Sequence, residues 1–218
     1  MANQSGSVYG LTLLCPIVKD ERAVPSHDLQ IREYLATLPT DERSPFAAAP
    51  GTHLARLVVM DDVIYVGMPA CEEHLKSKYL IFETNCDADI DAYFTGLAKA
   101  IPEQLDAVWS HCTGYPGVRD LDAFLSYMKA CQLETTFFFA AVNDKSVTDT
   151  LKALQTQRAV ADFIATHPVP GTVVDAATTQ REFLEFMKIV EAAPTPRPGL
   201  KAGSGASRRE IQTGGHNE

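Results

Sequence analysis

Apolar and polar positions alternate along this chain in two rhythms. Val8 to Val18 (VYGLTLLCPIV) is apolar on both faces and predicts a central strand. Pro25-Ser26-His27-Asp28 is a helix-start signal. From Ser26 to Leu38, residues Leu29, Ile31, Tyr34, Leu35 and Leu38 then recur near helical spacing. Thr40 to Gly51 reads as a loop. His53 to Val66 (HLARLVVMDDVIYV) is β-rich, with Asp61-Asp62 as a turn or bulge within it, and residues 67 to 78 are irregular. Lys78 to Asn85 (KYLIFETN) predicts another strand. Asp87 and Asp89 precede a helix over Ile90 to Ala100, where carboxylates favour the positive end of the helix dipole. Pro102 opens a short helix through Leu105, Val108 and Trp109, which runs into the turn His111-Cys112-Thr113-Gly114-Tyr115-Pro116-Gly117. Asp120 to Cys131 is amphipathic, and Thr135 to Val142 (TTFFFAAV) predicts a strong strand. Helices are expected from Ser146 to about Thr166 and from Thr178 to Ala192, with a short edge strand at Thr172 to Val174.

The first 142 residues thus trace β-α-β-β-α-(αα)-β, an α+β, ferredoxin-like order with a helical insertion. Such an order makes an antiparallel sheet with helices on one face. The other face needs a cover, either a second copy of the sheet, giving a dimeric α+β barrel, or the C-terminal helices. The expected organisation is a flexible N-terminus over 1–7, a single α+β domain over 8–192 and a tail over 193–218. The tail's Pro, Gly, Ser and charges bury too little surface to offset the entropy of ordering.

Charge and composition narrow the function classes. The net charge is -9 on 218 residues, with the 28 acids spread along the chain, and such a surface repels nucleic-acid phosphates. No apolar run approaches the roughly 20 residues of a membrane span. The first residues lack the charged start of a signal peptide, so a cytoplasmic location is expected. Five cysteines without a CxxC pair predict free thiols packed as small hydrophobes rather than a zinc site. Asn85, Asp87, Asp89 and Asp91 lack the glycine and distal glutamate of a calcium loop, so helix capping explains them better. No phosphate-cradling glycine motif supports a nucleotide cofactor.

Candidate chemistry falls on six residues. His111 lies between an apolar helix end and a two-glycine turn, near Trp109 and Tyr115. There it could act as a base or ligand, or simply cap the helix. His53 and Arg56 are three apart in a strand and so face opposite ways. His53 goes with Ala55 and Leu57, Arg56 with Leu54 and Val58. An arginine in an apolar strand needs an acid, and Glu83 in YLIFETN is the expected partner, either as a structural pair or beside an anionic or carbonyl-bearing substrate. His111 and His53 are therefore the candidate catalytic residues, and Arg56, Tyr115, Glu83 and Trp109 the candidate substrate-binding ones.

The segments GTHLARLVV (51–59), YLIFETNCDADIDAYF (79–94) and HCTGYPG (111–117) together resemble uncharacterised bacterial proteins of the dimeric α+β barrel superfamily. That superfamily includes cofactor-free monooxygenases, small-molecule cyclases and haem-binding peroxidases. The resemblance implies a homodimer and a small apolar or carbonyl-bearing substrate. It implies cofactor-free, monooxygenase- or cyclase-like chemistry, or an oxidoreductase holding haem through His111 or His53. The alternative is a non-catalytic dimerisation or partner-binding protein. The chain lacks the Gly-x-x-Asp-Gly run of dye-decolourising peroxidases.

Overall fold

A computed structural model describes residues 3–49, 51–63, 67–68, 74–167, 173 and 175–199. The chain divides into two compact units, 1–146 and 147–218, where the sequence predicts one domain over 8–192.

The first unit is α+β. Its strands are β1 (Gln4–Ser5), β2 (Val8–Pro16), β3 (Thr52–Met60) and β4 (Tyr79–Cys86), in the antiparallel sheet order β1-β2-β4-β3. Its helices are α1 (His27–Thr37), α2 (Pro45–Ala48), α3 (Ile90–Ala100), α4 (Pro102–Trp109) and α5 (Leu121–Ala130). Both β2 and β3 pair antiparallel with β4, which lies between them, so β2 and β3 run in the same direction. The β3 strand ends at Met60, before the predicted Asp61-Asp62 turn, and Val66 lies outside the described residues.

One face of the sheet carries the core. Leu11, Leu13 and Cys15 of β2 and Leu80, Phe82, Thr84 and Cys86 of β4 are buried, at every second position. Ile31 of α1, Phe94 and Leu97 of α3, Leu105 and Trp109 of α4, and Phe124 and Met128 of α5 join the same cluster. Phe82 is at its centre, in ring contact with Phe46, Phe94 and Trp109. The Asp89 carboxylate caps α3 by accepting from the Ala92 N–H, and Asp120 caps α5 in the same way. The other face of the sheet holds Leu14, Ile81 and Val58 in one cross-strand row and Thr12, Glu83 and Arg56 in the next.

The strand predicted at Thr135 to Val142 does not form, so the closing strand of a ferredoxin-like order is missing. The reason is competition for the edge of β2. Residues 3–5, predicted to be flexible, fold back as a hairpin and pair with Val8 and Tyr9, and the Gly10 N–H donates to the Asn3 carbonyl. Closing so short a loop costs less entropy than recruiting a segment about 130 residues away. Only the approach survives. The Leu14 N–H donates to the Cys131 carbonyl and the Leu133 N–H to the Thr12 carbonyl, and then the chain leaves the edge. It continues as a strap beside the hairpin. Ser5 Oγ accepts from the Ala140 N–H and from Asn143 Nδ2, and the Ser7 N–H donates to the Asn143 carbonyl. Gly6, at φ +60°, turns the hairpin.

The second unit holds α6 (Val147–Thr166) and α7 (Ala176–Ala192), with Phe163, Phe183 and Phe186 in ring contact. Lys152 donates to the carbonyls of Val190 and Ala193 at the end of α7. Of the predicted edge strand, Thr172 and Val174 lie outside the described residues, as do residues 200–218 of the predicted tail. Among the described residues no helix is long and apolar enough to cross a membrane.

Candidate functional site

The six candidate residues do not gather in one place. Arg56 and Glu83 meet on the open face. The β3–β4 register sets them directly opposite, and Arg56 Nε donates to Glu83 Oε2 at 2.7 Å, with Nη2 on the same oxygen. Arg56 Nη1 and Glu83 Oε1 keep no partner among the described residues. The expected alternation holds here, since Arg56 shares its face with Leu54 and Val58, 49% and 41% exposed. A hollow of about 440 Å³ opens over this pair. Its floor is Gly10, Thr12, Leu54, Arg56, Glu83 and Asn85, and its wall is the strap at Thr135, Phe137 and Phe138. The hollow is open to solvent, with the Arg56 side chain 67% exposed, and its lining mixes apolar walls with one ion pair.

His53 lies in a bulge at the start of β3, between Thr52 and Leu54. Its Nε2 meets Asp87 Oδ1 at 2.7 Å, just past the end of β4. His111 lies at the other end of the sheet. The Val18 N–H donates to its carbonyl, and Cys112 bridges Ile17 beyond the end of β2. From Tyr9, opposite Cys86, to Pro16, opposite Tyr79, is seven residues, or about 23 Å at strand rise. The two histidines therefore do not converge.

His111 pairs instead with His27, the first residue of α1, at 2.8 Å between the two Nδ1 atoms. Burial and the neighbouring His27 hold the His111 imidazole below its ordinary value, which favours its neutral form. A cleft of about 290 Å³ that neither histidine lines is formed by Val18, Ser26, Asp28, Asp61 and Lys78 among others. Asp28 is buried there. Its burial opposes ionisation, but hydrogen bonds from Lys78 (2.5 Å) and Ser26 (2.7 Å) outweigh that and keep the carboxyl below its usual range. Lys78 also reaches Asp61 at 3.1 Å, and its two carboxylate bonds raise the ammonium above its ordinary value.

Trp109 and Tyr115 line neither hollow. Trp109 is 1% exposed, edge-on to Phe82, and its buried Nε1–H has no hydrogen-bond partner among the described residues. Tyr115 donates to Asp106 at 2.8 Å, and burial together with that carboxylate pushes its phenol far up. Cys15, Cys86 and Cys112 are buried free thiols. The Cys112 thiol alongside and burial push Cys15 up to about 12, too high for a nucleophile at neutral pH. Cys71 lies outside the described residues. Among the described residues no group of three or more His, Cys, Asp or Glu could hold a metal ion.

Sequence reasoning missed His27, Asp28, Lys78 and Asp87. Each acts through a partner at least 34 positions away, and the separations of 84 for His27–His111 and 50 for Asp28–Lys78 leave no spacing signal. The helix-start signal at Pro25 to Asp28 locates His27 and Asp28 but says nothing of what they meet. No family model, no curated protein and no solved structure matches this chain.

Proposed function

We propose that the chain is a small-molecule-binding α+β protein whose ligand lies in the open-face hollow beside Arg56. One observation carries this reading. The hollow combines an apolar wall of Leu54, Phe137 and Phe138 with a single ion pair that still has one donor and one acceptor to offer. Glu83 already neutralises the guanidinium, so a neutral carbonyl suits the remaining Nη1–H better than a carboxylate does. The ligand is an apolar molecule bearing a carbonyl group. Such a ligand fits cofactor-free oxygenation or a cyclase-like reaction, as the resemblance to dimeric α+β barrels implies. Neither histidine lines the hollow, so the present geometry supports binding there ahead of catalysis.

A second copy is the proposed cover. The open face measures about 26 Å by 19 Å including the strap, about 500 Å² a copy. Two copies reach the roughly 1,000 Å² of a specific interface. The pair is also self-complementary across a two-fold axis, because Arg56 Nη1 of one copy can meet Glu83 Oε1 of the other. Phe137 and Phe139, 82% and 71% exposed, extend the apolar surface. This gives the dimeric, barrel-like arrangement, and without a ligand it is the non-catalytic reading. Calorimetric titration with 2-nonanone separates the two. Binding that Arg56→Ala weakens, with nonanoate binding less well, supports the ligand reading. A dimer that takes up neither compound leaves only the interface.

A further inference from the structure

We propose that the strap over Thr135 to Phe139 has a second seat, as a strand on the edge of β2, and that residues 3–7 are the latch that holds it off. What the latch does to the hollow rests on the ligand reading above, whereas the second seat stands without it.

The argument starts from a ladder that stops part-way. Leu13 pairs antiparallel with Gln132, flanked by the Leu14 N–H on the Cys131 carbonyl and the Leu133 N–H on the Thr12 carbonyl. Continued without a shift, this register sets Thr135 opposite Gly10, Thr136 opposite Tyr9 and Phe137 opposite Val8. The β1 hairpin holds those same three residues of β2. Gln4 pairs with Tyr9 and Ser5 with Val8, and the Gly10 N–H donates to the Asn3 carbonyl.

The buried side chain of Asn3 stands where the next ladder bond belongs. Its Nδ2 donates to the Gly10 carbonyl at 3.1 Å, and its Oδ1 accepts from the Thr135 N–H at 3.3 Å. In the continued register the Thr135 N–H and the Gly10 carbonyl would bond each other directly. The Asn3 carboxamide is therefore a spacer between two segments whose register matches. Further along, Ser5 Oγ accepts from Ala140 and Asn143, and the Ser7 N–H and hydroxyl both donate to the Asn143 carbonyl. Gly6, at φ +60°, lies so close that an added Cβ would overlap the Asn143 carbonyl oxygen.

The latched seat leaves parts of the strap unused. The Phe137 N–H has no hydrogen-bond partner among the described residues, and the Phe137 and Phe139 rings are exposed. Threonine and phenylalanine both favour strands. On the edge of β2, successive side chains would alternate, so Phe137 and Phe138 would point to opposite faces. Both rings now line the hollow, and the strand seat would leave it only one. A ligand in the hollow therefore favours the latched seat, and release of the latch dismantles its site.

The test uses the full chain with Gly6→Val, which no longer fits the latch. In the strand seat Tyr9 and Thr136 form a close, non-hydrogen-bonded pair. Gly6→Val should show a nuclear Overhauser contact between their Hα atoms that the wild type lacks. Its Phe137 amide should exchange with D₂O at least about tenfold more slowly. Asn3→Ala removes the spacer and serves as a second variant if the first does not fold. Calorimetry should find 2-nonanone bound at least about tenfold more weakly by the variant, because only its latched fraction is competent. No Hα contact and unchanged Phe137 exchange in both variants would overturn the second seat. Unweakened 2-nonanone binding in a variant that shows the contact would overturn control of the hollow. A wild type that takes up no 2-nonanone would sink the ligand reading, with the Hα contact still deciding the latch.

Discussion

A side chain at position 10 would strike the strap. An added Cβ there lies 2.8 Å from the Phe138 ring, so Gly10 is what lets the strap lie flat on β2. Gly10→Val should cost about 1–3 kcal/mol in urea unfolding. It should also move the Phe138 ring resonances while leaving those of the core ring Phe82 in place. Unchanged stability would mean that the strap is not seated there. The His27–His111 pair gives a second expectation at this scale. The folded value of His111 is depressed, so the unfolded chain binds protons more readily. Stability from this group is complete above the unfolded value, near 6.5, and is lost as pH falls from there through the folded one. Midpoints of urea unfolding should therefore drop between about pH 7 and pH 5, and His111→Gln should flatten that slope. Arg56–Glu83 behaves otherwise. With Arg56 67% exposed in its side chain, the pair is worth no more than about 1 kcal/mol, so Arg56→Ala should fold normally.

Elements are held by signals of unequal reach. Asp89→Ala removes the Ala92 bond and should cost about 1 kcal/mol, read as a fall in the thermal midpoint. Phe82→Ala, at the meeting point of three rings, should cost about 3–5 kcal/mol. Both sites could be read from the chain, because caps act within one turn and alternation runs along one strand. The three long strands, α1 and α3 to α7 all correspond to predicted segments, and the Arg56–Glu83 pair follows from alternation plus the need of an arginine in an apolar strand for an acid. The run TTFFFAAV has strand chemistry yet forms no strand, because the edge it needs is taken by Asn3 to Ser5. Propensity describes a segment's preference and carries no record of which rival reaches the edge first. The same limit hides His27 from His111. A pair joined only by the fold has no local pattern.

At the scale of the first unit, the sheet has one face packed on helices and one face that carries none of that unit's helices. Row by row, Leu14, Ile81 and Val58 present carbon outward beside Thr12, Glu83 and Arg56. Sedimentation velocity should find a dimer that Val58→Lys converts to monomer with unchanged circular dichroism, because a lysine on each copy meets its symmetry mate across the face. A monomeric wild type at all concentrations would remove the second copy as cover. Binding in the hollow is the more central claim, and amide chemical-shift mapping with 2-nonanone tests it most directly. The account predicts shifts confined to Gly10, Thr12, Glu83, Asn85 and the strap at Thr135 to Phe138, absent in Arg56→Ala. Shifts centred on the helical face, or none at saturating ligand, would contradict it.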